Sequence, residues 1–216
     1  NILDAAIQAT YLAQSNSISH SSESENKEIQ GTSANKKFKR LLLNRSVEIE
    51  LVSYLYSLKG KILNNTNDAR FGEGVCSNDF QLFMDKSQEI STVKEDIIKI
   101  CKKELNINEL VIFDSFFNIF TSGCGAKKHR HLNNHDKYFG LLSKKYTLVY
   151  YLDVGDQKGE DPGILKLYDP DEGILPSNGS IIIVDSARYH SVSYKGNADR
   201  VMIGVNFYGF WTIFNT

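Results

Sequence analysis

Between residues 110 and 211 the sequence consists of short segments rich in aromatic and β-branched residues, each followed by turn-forming residues. Such segments are typical of β-strands, and the Asp, Pro, Gly and Asn residues between them are typical of tight turns. The predicted strands are 110–121, 146–153, 164–168, 180–185, 190–194 and 200–211. A fold made of many short strands has to protect its open edges. The pattern therefore predicts a sandwich or barrel, such as a double-stranded β-helix (jelly roll).

Before these strands, the sequence contains segments with the apolar spacing of amphipathic helices. In 46–59 and in 92–105, large apolar residues recur every three or four positions. Thr92 and Glu95 have the spacing of a capping box at the start of the second helix. Cys101 lies on the apolar stripe of that helix, so we expect a buried thiol rather than a nucleophile. Helices followed by a series of strands favour an α+β fold, with the helices packed on the sheet.

The N-terminal part of the chain differs in composition from the rest. Residues 2–14 are Ala-rich and apolar, which predicts a helix, whereas residues 15–36 are rich in Ser, Asn and Glu and predict a polar linker. We therefore divide the chain into residues 1–36, a helix and linker, and residues 37–216, the jelly-roll domain. The chain begins at Asn1 rather than Met, which is compatible with a processed chain or with a piece of a longer one.

Overall composition disfavours several classes of partner. The net charge is −1 and no Lys/Arg stripe stands out, which argues against binding to a nucleic-acid polymer. No apolar run approaches the roughly 20 residues that span a bilayer. The chain has 3 cysteines, too few and too scattered for a disulfide framework, and this favours a reduced, cytoplasmic protein.

The histidines indicate a metal site. His129 and His131 lie two positions apart after a predicted strand, and His190 lies at the start of a later one. Neutral imidazole is a common ligand for transition metals, so these side chains can form one face of a metal centre. His20 falls in the polar linker and His135 in a polar loop, and we interpret both as surface residues.

The segment from Phe113 to Phe210 resembles the 2-oxoglutarate/iron(II) oxygenases of the prolyl-hydroxylase type. The similarity rests on a strand followed by a His-rich loop, and on the strands around 146–153 and 163–170. It extends through the segment 179–186, the motif that begins at His190, and the final strand from Arg200 onward. The chain most resembles a bacterial and phage subgroup whose first motif reads His-Xaa-His.

The resemblance implies a jelly-roll enzyme that uses iron(II) and 2-oxoglutarate to hydroxylate an unidentified small-molecule or peptidyl substrate. By position, His129 is the first metal ligand and His190 the distal one, and with His131 they form the predicted metal-binding and catalytic set. Arg200 is expected to pair with the remote carboxylate of 2-oxoglutarate, because its planar guanidinium can bind a carboxylate through two hydrogen bonds. Tyr151 and Asn206 complete the residues that the resemblance assigns to cofactor binding.

His131 stands where the family usually has Asp or Glu, and this leaves alternatives open. Three imidazoles give the metal one more positive charge than two imidazoles and a carboxylate, and they also suit metals other than iron. One alternative is an oxygenase or isomerase of cupin type that does not use 2-oxoglutarate. Another is a non-catalytic metal-binding jelly roll. A further possibility is that Asp136 supplies the carboxylate after a rearrangement of its loop.

Overall fold

The structure is a computed structural model that describes residues 40–66, 74–77 and 81–211. The predicted helix 2–14 and the linker 15–36 lie outside these residues, and the division of the chain at residue 36 stays a prediction. The helices are α1 (Ile49–Ile62), α2 (Gln88–Glu104) and α3 (Asn134–Tyr138), with a short 3-10 helix at Leu82–Met84. The strands are β1 (Leu41–Asn44), β2 (Leu63–Thr66), β3 (Gly74–Ser77), β4 (Glu109–Phe120), β5 (Gly125–His129), β6 (Lys145–Asp153), β7 (Leu165–Leu167), β8 (Glu172–Ile174), β9 (Ser180–Asp185), β10 (His190–Ser193) and β11 (Arg200–Phe210).

The strands form two antiparallel sheets. The larger sheet has 7 strands in the order β1-β9-β6-β11-β4-β3-β2, and the smaller has 4 strands in the order β5-β10-β7-β8. Apolar residues from both sheets, including Phe120, Leu167 and Met202, form one buried cluster. The predicted jelly-roll architecture, a double-stranded β-helix with helices packed on it, is confirmed.

Strand β11 lies at the centre of the larger sheet and positions one group of polar residues, which lie on β4, β6 and β11. It pairs with β4 on one side and β6 on the other, so that Asn206 lies opposite Asp114 and also opposite Thr147. In the smaller sheet β10 pairs with β5, and His190 lies directly opposite His129. Pairing of strands that are distant in sequence therefore brings both groups of polar residues together.

Most strand boundaries differ from the predicted ones by one residue, but some strands were missed. β1, β2, β3, β5 and β8 have no matching prediction, and the segment 125–129 was interpreted as a loop. These strands are only three to five residues long and several are polar, as in the Lys127-Lys128 part of β5. Their own composition has little β-propensity, so they are defined by the partners they pair with.

The two predicted helices are confirmed, but their starts are wrong. α1 spans Ile49–Ile62 rather than 46–59, so it starts three residues later and also ends three residues later than predicted. α2 begins at Gln88 rather than at residue 92, because Ser87 is its N-cap and accepts a hydrogen bond from the amide of Ile90 at 3.3 Å. The predicted capping box at Thr92 is therefore wrong, since that residue lies inside the helix.

The apolar stripe of α2 is confirmed as part of the core. Ile90, Val93, Ile97 and Cys101 are buried, and the helix contacts β4 and α1. Burial raises the pKa of the Cys101 thiol to about 12, so this side chain is a packed thiol. Within the described residues, no helix is both long enough and apolar enough to cross a membrane. The predicted cytoplasmic location stays a prediction.

Candidate metal and co-substrate site

Three imidazoles meet where the end of β5 faces the start of β10. His129 is the last residue of β5, His131 follows in the next loop, and His190 opens β10. One ligand nitrogen from each side chain lies within 4.8 Å of the others. His129 and His190 are buried and His131 is half-buried. The structure therefore brings together the histidines that the sequence predicted as metal ligands.

Backbone carbonyl groups orient two of these rings. Nδ1 of His129 lies 2.6 Å from the carbonyl oxygen of Lys127, and Nδ1 of His190 lies 3.1 Å from that of Arg188. A carbonyl oxygen only accepts hydrogen bonds, so each Nδ1 carries the hydrogen and each Nε2 keeps its lone pair. This is the tautomer that a metal bound through Nε2 requires.

Burial keeps the distal histidine neutral. It lowers the pKa of His190 to about 4, and electrostatic repulsion from His129 acts in the same direction. A neutral ring is the form that binds a metal. The donor set of three closely spaced imidazoles thus fits a transition metal ion.

His131 has different surroundings from the other two histidines. Its Nδ1 lies 3.3 Å from the Nδ2 atom of Asn206, and its Nε2 lies 3.2 Å from Nε2 of His190. The backbone amide of His131 donates to the carbonyl oxygen of Ser186 at 3.1 Å, which ties the loop to the end of β9. Asn206 is buried and contacts His131, so the structure places this predicted cofactor-binding residue beside a histidine.

A cavity of about 50 Å³ lies beside the histidines, between the two sheets. Residues from both sheets line it, among them Tyr151, Leu165, Met202 and the three histidines. A volume of this size holds about three to five water molecules. The cavity therefore offers space next to the three imidazoles.

Arg200 is fully buried behind this cavity. Its guanidinium donates to the backbone carbonyl oxygens of Val154 at 3.3 Å, Gly163 at 2.6 Å and Pro162 at 3.1 Å. Burial lowers the pKa of Arg200, although a guanidinium remains charged in a protein. Among the described residues no carboxylate forms an ion pair with it. A buried charge that is bound only by neutral carbonyl groups is costly, and an anionic ligand would offset that cost.

Tyr151 lies between the cavity and Arg200. It lines the cavity, and its ring centroid lies 5.6 Å from Cζ of Arg200. Burial raises the pKa of the Tyr151 hydroxyl to about 12, so the hydroxyl stays protonated and can donate a hydrogen bond. Within the described part of the chain the structure assigns it no hydrogen-bond partner. The pair of Tyr151 and Arg200 thus has the chemistry of a carboxylate site.

The structure does not bring Asp136 to the histidines. Its carboxylate is fully buried and accepts hydrogen bonds from Lys145 Nζ at 3.0 Å, Tyr208 Oη at 2.6 Å and the Asn133 amide at 2.7 Å. The interaction with Asn133 completes a capping box at the start of α3. Asp136 is therefore held in a structural ion pair. His135 is exposed on α3, as expected of a surface residue.

Sequence reasoning named Asn206 but missed the polar residues that hold it, which are Asp114, Thr147 and Ser186. Thr147 donates to Oδ1 of Asn206 at 2.7 Å and lies 2.8 Å from the hydroxyl of Ser186. Nδ2 of Asn206 donates to Oδ1 of Asp114 at 2.7 Å. These residues belong to four different strands or strand ends, and only the sheet register places them together.

Comparison of the sequence with known protein families finds no match, and comparison with curated proteins finds none either. Solved structures do match. One match is a prolyl 4-hydroxylase from Pseudomonas putida, which is 14% identical in sequence. The aligned region covers 81% of this chain and 94% of the hydroxylase chain, with a TM-score of 0.54.

Two further matches are also prolyl hydroxylases. A viral collagen prolyl hydroxylase from Paramecium bursaria Chlorella virus-1, in complex with 2-oxoglutarate, is 12% identical over 78% of this chain and 94% of its own, with a TM-score of 0.56. A Trichoplax adhaerens prolyl hydroxylase, in complex with a hypoxia-inducible-factor peptide, is 17% identical over 79% and 83%, with a TM-score of 0.52.

These similarities define the fold class. The chain has the fold of the 2-oxoglutarate/iron(II) oxygenases, and within that class it is similar to bacterial, viral and animal prolyl hydroxylases. Its His-Xaa-His motif and distal histidine agree with the resemblance predicted from the sequence. Because the sequence identities are only 12–17%, these matches show a shared fold and do not show a shared activity.

Proposed function

We propose that this protein is a 2-oxoglutarate- and iron(II)-dependent dioxygenase. The observation that carries the proposal is the placement of three imidazoles and Tyr151 around one cavity, with the buried guanidinium of Arg200 next to Tyr151 and without a carboxylate partner among the described residues. The imidazoles supply a metal site and Arg200 supplies a site for a remote carboxylate. A co-substrate that carries both a keto acid and a second carboxylate matches this pair of sites.

The histidines would hold the metal. His129 and His190 present Nε2 lone pairs, because their Nδ1 hydrogens are donated to backbone carbonyl oxygens. His131 occupies the third corner of the cluster. Imidazole ligands suit iron, zinc, copper and nickel alike, so the proposal of iron rests on the likeness of the fold to iron(II) oxygenases.

Arg200 and Tyr151 would hold the remote carboxylate of 2-oxoglutarate. The guanidinium offers a charge-assisted donor and the Tyr151 hydroxyl a neutral one. Met202 follows Arg200 on the same face of β11 and lines the cavity. Because methionine side chains are flexible, we expect Met202 to move aside and give the carboxylate access to Arg200.

With iron(II) and 2-oxoglutarate bound, molecular oxygen would convert 2-oxoglutarate to succinate and carbon dioxide. One oxygen atom would enter succinate, and the other would be inserted into a C–H bond of the substrate. The chain would hold both cofactors and limit the entry of water, since the cavity walls are mainly apolar. The proposed substrate is a small molecule or a peptidyl side chain. The peptide complex of the Trichoplax neighbour supports the second option.

Calorimetric titration of metal-loaded protein with 2-oxoglutarate, under anaerobic conditions, tests this proposal. We expect binding of 2-oxoglutarate but weak binding of 2-oxovalerate, which has the keto acid but lacks the remote carboxylate. Arg200→Gln should weaken 2-oxoglutarate binding by about 10- to 100-fold, the loss expected for charged hydrogen bonds, and leave metal affinity unchanged. Equal affinity for the two keto acids would overturn the proposal and favour a cupin-type site that does not use 2-oxoglutarate.

A further inference from the structure

The side-chain amide of Asn206 has only one orientation that satisfies its neighbours. Nδ2 lies 2.7 Å from Oδ1 of Asp114, and Oδ1 accepts from Thr147 at 2.7 Å. A carboxylate is only an acceptor, so rotating the amide by half a turn would place two oxygen atoms in repulsive contact. Asp114 therefore fixes Asn206 with its NH₂ group toward Asp114 and toward His131.

This orientation determines which nitrogen of His131 carries the hydrogen. The second Nδ2 hydrogen of Asn206 points to Nδ1 of His131 at 3.3 Å, so that Nδ1 is an acceptor. In a neutral imidazole the hydrogen is then on Nε2. His131 Nε2 lies 3.2 Å from Nε2 of His190, which is an acceptor because its Nδ1 donates to Arg188.

The hydrogen bonds thus run in one consistent direction. Asn206 donates to Asp114 and to His131, His131 donates to His190, and His190 donates to the carbonyl oxygen of Arg188. His129 and His190 are therefore prepared for metal binding through Nε2, whereas His131 carries a hydrogen on the corresponding atom. The histidines of the cluster are not equivalent ligands.

We propose that Asn206, held by Asp114, keeps His131 out of the coordination sphere, so that the metal is bound by only His129 and His190. His131 then serves as a positioning residue that donates a hydrogen bond beside the metal. This inference rests on the proposed metal site and adds a role for Asn206 that differs from cofactor contact.

The inference can be tested by reversing one hydrogen bond. In Asp114→Asn/Asn206→Asp the two side chains exchange, so that the residue at 114 donates and the residue at 206 accepts. The new carboxylate accepts from Nδ1 of His131, which moves the hydrogen off Nε2 and makes that atom a ligand. We expect the exchange to tighten metal binding by roughly tenfold or more. Substitution of residues that hydrogen-bond to metal ligands typically changes metal affinity by about that factor. Asn206→Ala, which removes the donor, should give a smaller increase.

Pulsed EPR of the Cu(II)-loaded protein counts the coordinated imidazoles, and competition with a chromophoric chelator gives the Cu(II) affinity. Wild-type protein should show two imidazoles and the exchanged variant three. His131→Ala should bind Cu(II) almost as tightly as wild type, in contrast to His129→Ala. If wild type shows three imidazoles, or if His131→Ala loses as much affinity as His129→Ala, the inference is wrong while the metal site stands. If His129→Ala and His190→Ala bind Cu(II) as wild type does, the metal site itself is wrong and the inference fails with it.

Discussion

Gly163 and Arg200 are in such close contact that no side chain fits between them. Nη1 of Arg200 donates to the carbonyl oxygen of Gly163 at 2.6 Å. A Cβ atom at Gly163 would lie only 2.1 Å from that Nη1 and 2.2 Å from Cζ. The loop between β6 and β7 therefore determines where the guanidinium lies, and with it the proposed carboxylate site.

Gly163→Ala should displace the Arg200 guanidinium and weaken 2-oxoglutarate binding by about tenfold or more, because the charged donor leaves its position. Metal affinity should not change, since the histidines lie on other strands. Gly159→Ala is the matched control. Gly159 has a φ of +88° and Gly163 one of +83°, so alanine strains the backbone at both, but nothing lies within 4 Å of a Cβ at Gly159. Calorimetric titration with 2-oxoglutarate measures its affinity for each variant. If Gly163→Ala binds 2-oxoglutarate as tightly as Gly159→Ala does, Arg200 does not bind the remote carboxylate as proposed.

Asp136→Asn should destabilise the protein without affecting the metal site. The substitution leaves the ammonium group of Lys145, which is almost fully buried, without its carboxylate partner. Loss of one member of a buried ion pair costs about 3–5 kcal/mol. Urea denaturation measures this change in the free energy of unfolding, and chelator competition on the folded variant measures metal affinity. A large fall in metal affinity would instead mean that Asp136 is a ligand.

The N-cap of α2 can be checked with two alanine substitutions. Ser87→Ala removes the side chain that accepts from the Ile90 amide, and it should lower the free energy of unfolding by about 1 kcal/mol. Thr92→Ala removes a side chain inside the helix whose hydroxyl accepts a hydrogen bond from Gln88 at the surface, so it should have little effect or a small stabilising one. Chemical denaturation of both variants distinguishes the observed helix start from the start predicted by the sequence.

Cys101 should resist thiol reagents until the protein unfolds. Its side chain is buried on α2, and burial raises its pKa to about 12, so little thiolate forms at mildly alkaline pH. Cys124 is half-buried and serves as the internal reference. Alkylation followed by mass-spectrometric peptide mapping should show modification of Cys124 well before Cys101. Modification of both at the same rate would contradict the packing of α2.

The central strands of the larger sheet could be predicted because they are long and strongly apolar, whereas its short strands β1, β2 and β3 could not. β6, β9 and β11 are recognisable by composition alone. β5 could not be recognised, since Gly-Ala-Lys-Lys-His has no strand signal and becomes a strand by pairing with β10. The start of α2 was misplaced because Thr92 and Glu95 have the capping-box spacing, whereas the true N-cap, Ser87, is followed three positions later by Ile90 and lacks that signal.

The clustering of the three histidines could be predicted from spacing and resemblance, but their hydrogen bonds could not. Asp114 and Asn206 are 92 positions apart, and neither lies in a motif that signals contact. Their contact depends on the register between β4 and β11, which a single sequence does not reveal. The role of Asn206 beside His131 therefore follows only from the three-dimensional arrangement.

The visible absorption spectrum of the anaerobic protein with iron(II) and 2-oxoglutarate tests the central claim most directly. Chelation of iron(II) by the keto acid gives a metal-to-ligand charge-transfer band, and we expect this band in wild type and its loss in His129→Ala and in His190→Ala. The account is contradicted if wild-type protein binds iron(II) but shows no such band at saturating 2-oxoglutarate.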